Sequence, residues 1–484
     1  MMRSYKYEIF TSVIEEQIRN KILLKGERLP SVREIKNRYQ LSTSSVQSGF
    51  EYLMMKGLIE SSPRSGYFVS SVEEDRTLQF RTNLIPVVRD TIFAKNLMLT
   101  SARNKPSESS SFHMAAPGDL FIPQKLILRT MQEVIREKGA ALLRYYPSNG
   151  LYELRKQIAL QMGTHGCLMN PDELIITDGA LQALTIALRA VTDPGNIVAV
   201  ESPCVFSVLE AVANLGLKII EIPVHYENGF DTEYFRKVCT SNEIKAVVLT
   251  PNFHNPTGVM MTDDAKKELL AIASLHQVPV IENDIYGDLY FRDKRPRCIK
   301  SFDDSGLVMT YSSFSKTLAP GIRLGWLHAG RFYARSERAR FVLGRSVAPV
   351  YQELMLKILE GTSYERHLRS FRKLLNKQAI ELLNALRNYF PEGCYFHSPE
   401  GGYSIWGKLP EQTDMKRFFD YCDKNKILFT PGNTFSLTDE YSHHFRIIFA
   451  DRITPDSLAL LENAGRKVNE LLEEKRREDG SGKY

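Results

Sequence analysis

The sequence lacks the features that mark a secreted, metal-binding or membrane-embedded chain. Its six cysteines lie at positions 167, 204, 239, 298, 394 and 422 and include no C-x-x-C pair, which argues against a zinc site and a disulfide framework. No apolar run reaches the about 18 residues of a membrane-spanning helix. The opening stretch, MMRSYKYEIFTSVIEE, has no apolar leader core. We therefore expect a cytoplasmic location, no membrane partner and no bound metal.

The net charge is small, and its distribution says more than its size. The 484 residues carry a formal charge of +6, which permits an anionic partner without requiring one. Residues 1–69 hold 11 Lys and Arg against 7 Asp and Glu, so +4 of this charge lies in one seventh of the chain. A basic N-terminal module is typical of nucleic-acid binding, although chance variation in a small domain would give the same excess.

The first 70 residues follow the pattern of a compact helical unit with a terminal hairpin. Residues 5–24 have helical periodicity, with an apolar face of Ile9, Phe10, Val13, Ile14, Ile18 and Ile22. Ser31 and Glu34 have the spacing of a capping box that opens a second helix. After the turn QLSTSS a third helix is expected near Ser42, and LIESSPRSGYFV reads as two short strands around a Pro/Gly turn. This order predicts a winged helix-turn-helix over residues 1–70.

The rest of the chain divides into a linker and a larger α/β region. Residues 71–111 mix charges, allow a short helix near 84–98 and end in ARNKPSESSS, which indicates a linker. From residue 112 helical stretches alternate with the apolar segments ELIIT, IVAVE, KIIEIPV, AVVLT, VPVIE, LVMTYSS and RLGWLHAG. This alternation predicts a mainly parallel sheet covered on both faces over residues 112–345. Long amphipathic helices and the strands GGYSIWGKL and HFRIIFAD predict a smaller α+β domain over 346–475, followed by a tail at 476–484.

The segment from GERLPSVREIKNRYQ to SSPRSGYFV resembles the GntR superfamily of winged-helix DNA-binding domains. The resemblance implies double-stranded DNA as a partner, read by the helix that starts near Ser42. Arg33 and Arg64 would contact phosphates or a groove, and Gly66 would let the wing turn tightly. A helical dimerisation module with a hairpin is the alternative for this segment. The residues that the resemblance assigns to DNA are Arg33, Ser42, Thr43, Ser44, Ser45, Gln47, Arg64 and Gly66.

Five separated motifs, TDGALQAL, TPNFHNPTG, YSSFSKTLAPGIRLGW, HFRIIFAD and LRYYPSNGLYELR, resemble those of fold-type I pyridoxal 5′-phosphate (PLP) aminotransferases. The resemblance implies that Lys316 forms a Schiff base with PLP and that Arg446 clamps a substrate or effector carboxylate. Ser313, Ser315 and Arg323 would hold the phosphate. It also assigns to the cofactor Gly179, Ala180 and Leu181 at a helix N-terminus, Asn255 at the ring oxygen, Tyr286, and Tyr145, which would reach the phosphate in the partner subunit of a homodimer.

Two positions depart from the aminotransferase pattern. Asn283 stands three residues before Tyr286, where the pattern has an aspartate that pairs with the pyridine nitrogen, and Asp284 follows it. Either the register is locally shifted and Asp284 serves the nitrogen, or the nitrogen meets a neutral amide. In ESPCVF the usual ring-stacking aromatic aligns with Val205, and Phe206 stands one position later. Both departures weaken fast transamination more than they weaken PLP binding.

The joint architecture, a winged helix followed by a linker and an aminotransferase-like domain, resembles the MocR-type regulators of the GntR superfamily. The resemblance implies a dimeric, PLP-dependent transcription regulator that senses PLP or a small amino compound by aldimine exchange. Two other functions remain open. One is a working aminotransferase with a secondary DNA-binding domain, and the other is a DNA-binding scaffold whose PLP site is dead. The presence of Lys316, Arg323 and Asn255 argues against the scaffold.

Overall fold

The computed structural model describes residues 7–20, 22–62, 66–70, 86–90, 112–292 and 294–481. The chain divides into two compact units, an N-terminal one and one that carries most of the remaining residues. The N-terminal unit contains the helices and strands α1 (Glu8–Arg19), α2 (Val32–Tyr39), α3 (Thr43–Met55), β1 (Ile59–Ser62) and β2 (Gly66–Val69). The two strands pair antiparallel, so the predicted order of helix, helix, turn, helix and hairpin is confirmed.

Local capping fixes where α2 and α3 begin. The Ser31 side chain accepts a hydrogen bond from the Glu34 backbone N–H at 3.3 Å, and the Glu34 carboxylate accepts one from the Ser31 N–H at 2.7 Å. This is the predicted capping box, which satisfies two donors that the helix leaves free. Ser42 caps α3 by accepting a hydrogen bond from the Ser45 N–H at 3.1 Å. Both helix starts are therefore set by side chains visible in the sequence.

The prediction for the first helix is too long. The helix ends at Arg19, with Asn20 as its C-cap, and residues 22–24 lie beyond it. Phe10 and Ile14 are buried in the core of the unit, whereas Ile9 and Ile22 are 52% and 65% exposed. Twelve residues give little more than three turns, so the helix buries only a narrow stripe of the apolar face.

The larger unit is built on a nine-stranded sheet. Its strands are β3 (Arg89–Asp90), β4 (Leu174–Thr177), β5 (Ile197–Ser202), β6 (Lys218–His225), β7 (Gly229–Phe230), β8 (Ile244–Leu249), β9 (Val280–Asn283), β10 (Val308–Ser313) and β11 (Gly325–His328). The order is β3-β6-β5-β8-β9-β10-β11-β4, with β7 on β6. Strands β6, β5, β8, β9 and β10 run parallel, and β11 runs antiparallel between β10 and β4. All seven predicted strands are present.

The sheet is covered on both faces, as its apolar strands require. The helices of this unit are α4 (Gln124–Lys138), α5 (Tyr152–Thr164), α6 (Ala180–Val191), α7 (Phe206–Asn214), α8 (Thr232–Ser241), α9 (Asp263–His276), α10 (Tyr333–Leu343), α11 (Pro349–Glu360), α12 (Ser363–Tyr389), α13 (Met415–Lys424) and α14 (Pro455–Ser481). Alternate strand residues enter different cores: Val248 packs with α6 and α7, and Val247 with α8 and α9. This alternation is the period-2 geometry of a strand.

One strand of the sheet comes from the predicted linker. Arg89 and Asp90 pair antiparallel with Ile219 and Lys218 at the edge of the sheet. The prediction of a short helix near 84–98 is therefore wrong at residues 86–90, and its other residues lie outside the described part of the chain. A strand of two residues carries too little apolar periodicity to be recognised in the sequence.

The C-terminal part forms the smaller α+β domain. Strands β12 (Tyr395–Phe396), β13 (Ser404–Lys408), β14 (Thr430–Pro431) and β15 (His444–Ile448) form an antiparallel sheet in the order β12-β13-β15-β14. The two predicted strands of this domain are β13 and β15. The predicted boundary at residue 475 falls inside α14, which continues to Ser481. None of the helices in the described ranges is long and apolar enough to cross a membrane.

Candidate functional site

The sequence motifs of the larger unit converge on one edge of the main sheet. Strands β5, β8, β9 and β10 run parallel, so their carboxyl ends meet at that edge, where open α/β sheets bind ligands. The loops and turns that follow these strands, together with the turn after β4, carry the candidate residues. These are Gly179, Ala180 and Leu181 after β4, Phe206 after β5, Asn255 after β8, Asn283, Asp284 and Tyr286 at and after β9, and Ser313, Ser315 and Lys316 at and after β10.

Lys316 is held on the turn after β10 with its amine inside the protein. Its Nζ donates a hydrogen bond to the Ala115 carbonyl, and its own carbonyl accepts one from the Tyr403 hydroxyl. Burial, together with the positive charges of Arg446 and Arg323, lowers the pKa of Lys316 to about 8. A larger fraction of the amine is therefore neutral near pH 7 than in an exposed lysine, and the neutral amine is the nucleophile.

The turn that contains Gly179 lies against the turn that contains Arg323, and the charge of Arg323 acts on Lys316. Gly179 caps α6 with φ +92°, and a side-chain Cβ there would lie 3.0 Å from Nη2 of Arg323. Arg323 has φ +48° and donates to the Asp178 carbonyl at 3.1 Å. The backbone N–H groups of a helix N-terminus and an exposed guanidinium are thus brought together, and both bind anions. Leu181 is 49% exposed on the same helix.

The two serines of the lysine motif are buried. The Ser313 hydroxyl donates to the Leu324 carbonyl at 3.0 Å and accepts from the Ser315 N–H at 3.2 Å. The hydroxyl oxygens of Ser313 and Ser315 lie 2.8 Å apart. Ser313 therefore shapes the turn that presents Lys316.

A buried network joins Arg446 to the residues expected at the cofactor ring. Arg446 donates from Nη1 to the Asn255 side-chain oxygen at 2.9 Å, and from Nη2 to Thr430 Oγ1 at 3.2 Å. The Asn255 amide donates to the Tyr286 hydroxyl at 3.3 Å. Burial lowers the pKa of Arg446 to about 10, so the guanidinium is still charged near neutral pH. Its Nε is buried and has no hydrogen-bond partner among the residues that the structure describes.

Asn283 and Asp284 have different environments. Asp284 forms a buried ion pair with Arg295, which also binds Asp288 with Nε–Oδ1 at 2.7 Å. Burial raises the pKa of Asp284, and the Arg295 guanidinium opposes that rise. Asn283 accepts a hydrogen bond from the Ile285 N–H at 3.1 Å. Asp284 lies immediately after β9 and its carboxylate is paired with Arg295, whereas the Asn283 side-chain oxygen bonds to the backbone of its own turn.

Phe206 and Tyr145 have different surroundings in the single chain. Phe206 begins α7, and its ring lies 6.2 Å from that of Phe435. Val205 packs against the core between the sheet and α7. Tyr145 is 74% exposed and contacts Arg345, whose guanidinium lies 4.5 Å from the ring centre. Among the described residues of this single chain, no contact is seen between Tyr145 and Lys316.

Sequence reasoning missed four contributors to this site. These are His113, Ala115, Tyr403 and Thr430. His113 and Ala115 act through backbone carbonyls, for which no sequence signal exists, because every residue has one. Tyr403 and Thr430 bear no motif spacing of their own. Across the described ranges, no group of His, Cys, Asp and Glu side chains is arranged to hold a metal ion.

The residues expected at DNA lie on the surface of the N-terminal unit. Arg33 is exposed on the first turn of α2, and Gly66 opens β2 with φ +109°. Arg64 lies outside the described residues. The residues at the start of α3 are Ser42, Thr43, Ser44 and Gln47, which are exposed, and Ser45, which is half-buried.

Comparisons with known proteins agree with this division of the chain. Residues 118–461 match the family "Aminotransferase class I and II", and residues 8–69 match "Bacterial regulatory proteins, gntR family". The chain is 32% identical over 471 residues to the uncharacterized HTH-type transcriptional regulator YjiR of Escherichia coli, covering 97% of this chain and 100% of that protein. It is 27% identical to the HTH-type transcriptional regulator NorG of Staphylococcus aureus over 84% of this chain and 92% of that protein.

Solved structures resemble the larger unit. Kynurenine aminotransferase of Pyrococcus horikoshii superposes with a TM-score of 0.72 at 28% identity, over 79% of this chain and 95% of its own. LysN, an α-aminoadipate aminotransferase of Thermus thermophilus solved with N-(5′-phosphopyridoxyl)-L-leucine, has a TM-score of 0.70 at 25% identity, over 75% of this chain and 93% of its own. The fold-type I aminotransferase-like architecture predicted from the motifs is thereby confirmed.

The lowered pKa of Lys316 predicts how its reactivity changes with pH. Reaction of the protein with an aromatic aldehyde, trapped by borohydride and mapped by peptide mass spectrometry, should label Lys316 with a pH midpoint near 8. An unperturbed lysine has a midpoint of about 10.4. The Arg323→Gln variant should move the midpoint upward, because it removes a positive charge that favours the neutral amine. A wild-type midpoint of about 10 would show that the site does not change the pKa of the Lys316 amine.

Proposed function

This chain belongs to the HTH-type transcriptional regulators that join a GntR DNA-binding domain to an aminotransferase class I and II domain, and on that premise we propose that it is a PLP-dependent regulator that senses an amino compound. Lys316 would hold PLP covalently, and Arg446 would bind a carboxylate of the effector. The observation that carries this proposal is the grouping of charged side chains at the carboxyl ends of the parallel strands. The half-buried Lys316 feels the charges of the buried Arg446 and of Arg323, and Arg323 packs against Gly179 at a helix N-terminus.

The residues present fit PLP at three points. Gly179 leaves next to Arg323 the space that a Cβ would fill, which suits a phosphate at a helix N-terminus. Asn255 and Tyr286 form a hydrogen-bonded pair that could serve the ring oxygen. The buried, unpartnered Nε of Arg446 is a donor available to an anionic ligand.

When bound, PLP supplies an aldehyde that accepts amines and a ring that withdraws electrons. Asn283 is the residue that affects how strongly the ring withdraws electrons. Because Asp284 is committed to Arg295, the position three residues before Tyr286 offers a neutral amide to the ring nitrogen. An amide stabilises a protonated nitrogen less than a carboxylate does. Amine exchange at Lys316 needs no such stabilisation, so the site favours reversible sensing over rapid amino-group transfer.

We propose that the protein acts as a homodimer. Leu143, Phe341 and Val342 are 88%, 61% and 73% exposed in the single chain, and the contact of Tyr145 with Arg345 links the two segments that carry them. Clustered exposed apolar side chains of this size mark protein interfaces. A dimer would cover them and would allow Tyr145 to reach the partner's cofactor site. It would also present two winged helices to a site with two half-sites.

An active aminotransferase is the alternative function. The overall similarity to kynurenine aminotransferase, at 28% identity, favours it, and Asn283 disfavours it. The two functions differ in a measurable way, since an aminotransferase consumes a keto acid continuously, whereas a sensor binds its amino compound and stops.

Replacement of Lys316 tests the cofactor assignment. The purified full-length wild-type protein should retain PLP after borohydride reduction on a peptide that contains Lys316. The Lys316→Ala variant should retain none. Lys267→Ala, which removes an exposed lysine paired with Asp264, is the matched control and should leave labelling unchanged. Covalently fixed PLP in Lys316→Ala would contradict the assignment.

Arg33 tests the DNA-binding assignment. Arg33→Ala should weaken binding to DNA from the protein's own locus and lower the salt slope by about 0.9 for one lost phosphate contact. Arg19→Ala removes the same charge from the exposed end of α1 and should have a smaller effect. Binding is measured by fluorescence anisotropy at several salt concentrations. Equal losses in the two variants would indicate general electrostatics instead of a contact by Arg33.

A further inference from the structure

A short segment at the start of the larger unit runs along the small-domain sheet and is fixed at both ends. We call residues 112–118 the strap. At its first residue the Phe112 carbonyl accepts a hydrogen bond from the Ile448 N–H at 2.8 Å, and the Phe112 ring lies 5.9 Å from that of Phe429. At its last residue the Gly118 N–H donates to the Ala450 carbonyl at 2.8 Å. The ends are therefore anchored to strand β15 and the residues after it.

The middle of the strap is held by the two cations expected to bind ligands. Arg446 donates from Nη2 to the His113 carbonyl at 2.6 Å, and Lys316 donates from Nζ to the Ala115 carbonyl. Met114, between them, is 59% exposed. One further backbone hydrogen bond is described in the middle of the strap. In it the Ala116 N–H donates to the Met114 carbonyl at 2.8 Å. The middle of the strap thus depends on groups that a ligand would claim.

We propose that the strap is an internal occupant of the ligand site and that ligands displace it in two stages. This inference rests on the proposed function. Lys316 Nζ cannot serve the Ala115 carbonyl while it holds PLP, so cofactor loading frees Ala115. A carboxylate that bridges Nε and Nη2 of Arg446 makes stronger hydrogen bonds than the neutral carbonyl of His113 and takes the place of that carbonyl on Nη2.

Of the three acceptors that Arg446 binds, the His113 carbonyl of the strap is the one that a ligand displaces. The other two acceptors, Asn255 and Thr430, are 7% and 2% exposed and belong to the sheet edge and to β14. His113 is half-buried, and the backbone hydrogen bonds that join the strap to β15 and the residues after it lie at the two ends of the strap. In the sequence, the strap is also the stretch that follows the predicted linker from the winged helix.

Hydrogen exchange followed by mass spectrometry tests the displacement on the full-length protein. The reporters are the hydrogen-bonded amides of Ala116 and Gly118. Addition of PLP to the cofactor-free protein should speed exchange at Ala116 at least about threefold, because the lost hydrogen bond eases local opening. Aminooxyacetate then replaces Lys316 on PLP, releases the lysine as the free amine and brings a carboxylate to Arg446. Because the carboxylate frees His113, exchange at both amides should be faster with aminooxyacetate than with hydroxylamine.

Two comparisons isolate the two cations. Hydroxylamine also displaces Lys316 but has no carboxylate, so the freed amine can bind the Ala115 carbonyl again and exchange at Ala116 should fall back toward the cofactor-free level. Lys316→Ala in the cofactor-free protein should speed exchange at Ala116, whereas Lys267→Ala should not. This comparison needs no cofactor and so tests the strap even if the proposed function is wrong.

The outcomes separate the inference from the function. Exchange that is unchanged or slowed by aminooxyacetate relative to hydroxylamine would overturn the displacement, and so would an unaltered strap in Lys316→Ala. If PLP attaches to Lys316 and DNA binds while the strap does not respond, this inference alone fails. If PLP does not attach to Lys316, the proposed function fails.

Discussion

The site depends on the hydrogen bonds that the buried guanidinium of Arg446 donates. A charge that is 2% exposed must be hydrogen-bonded, because an unpaired buried charge costs far more than a paired one. Its partners come from three parts of the chain: Asn255 at the main sheet, Thr430 in the small domain and His113 on the strap. One side chain therefore links the large domain, the small domain and the segment that leads toward the winged helix.

The sequence predicted the parts of the protein that side-chain patterns encode. The seven main strands could be recognised because they are apolar runs buried on both faces. The start of α2 was visible in Ser31 and Glu34, and Lys316 in its serine-rich motif. The length of α1 was less predictable, because apolar residues such as Ile22 continue its period after the helix has ended.

Other features depend on contacts that a sequence does not display. The choice between Asn283 and Asp284 depends on Arg295, an ion-pair partner eleven residues away that belongs to no motif. The strap is held through the carbonyls of His113 and Ala115, and a carbonyl contact leaves no mark in residue identity. The strand Arg89–Asp90 is recognisable only through its pairing with β6. Tertiary partners decide each of these cases.

In the proposed regulator, occupancy of the PLP site changes the affinity of the protein for DNA. Reciprocal coupling of this kind requires a ligand that binds two states of the protein with different affinity, and typical couplings are about 5- to 150-fold. The direct measurement is the Kd for operator DNA of the PLP-loaded protein with and without an amino compound, with keto-acid consumption followed in the same samples. The account predicts a shift in Kd of at least about fivefold, absent in Lys316→Ala, and no sustained turnover. An unchanged Kd together with turnover at about 1 per second or faster would contradict it and identify the protein as an aminotransferase.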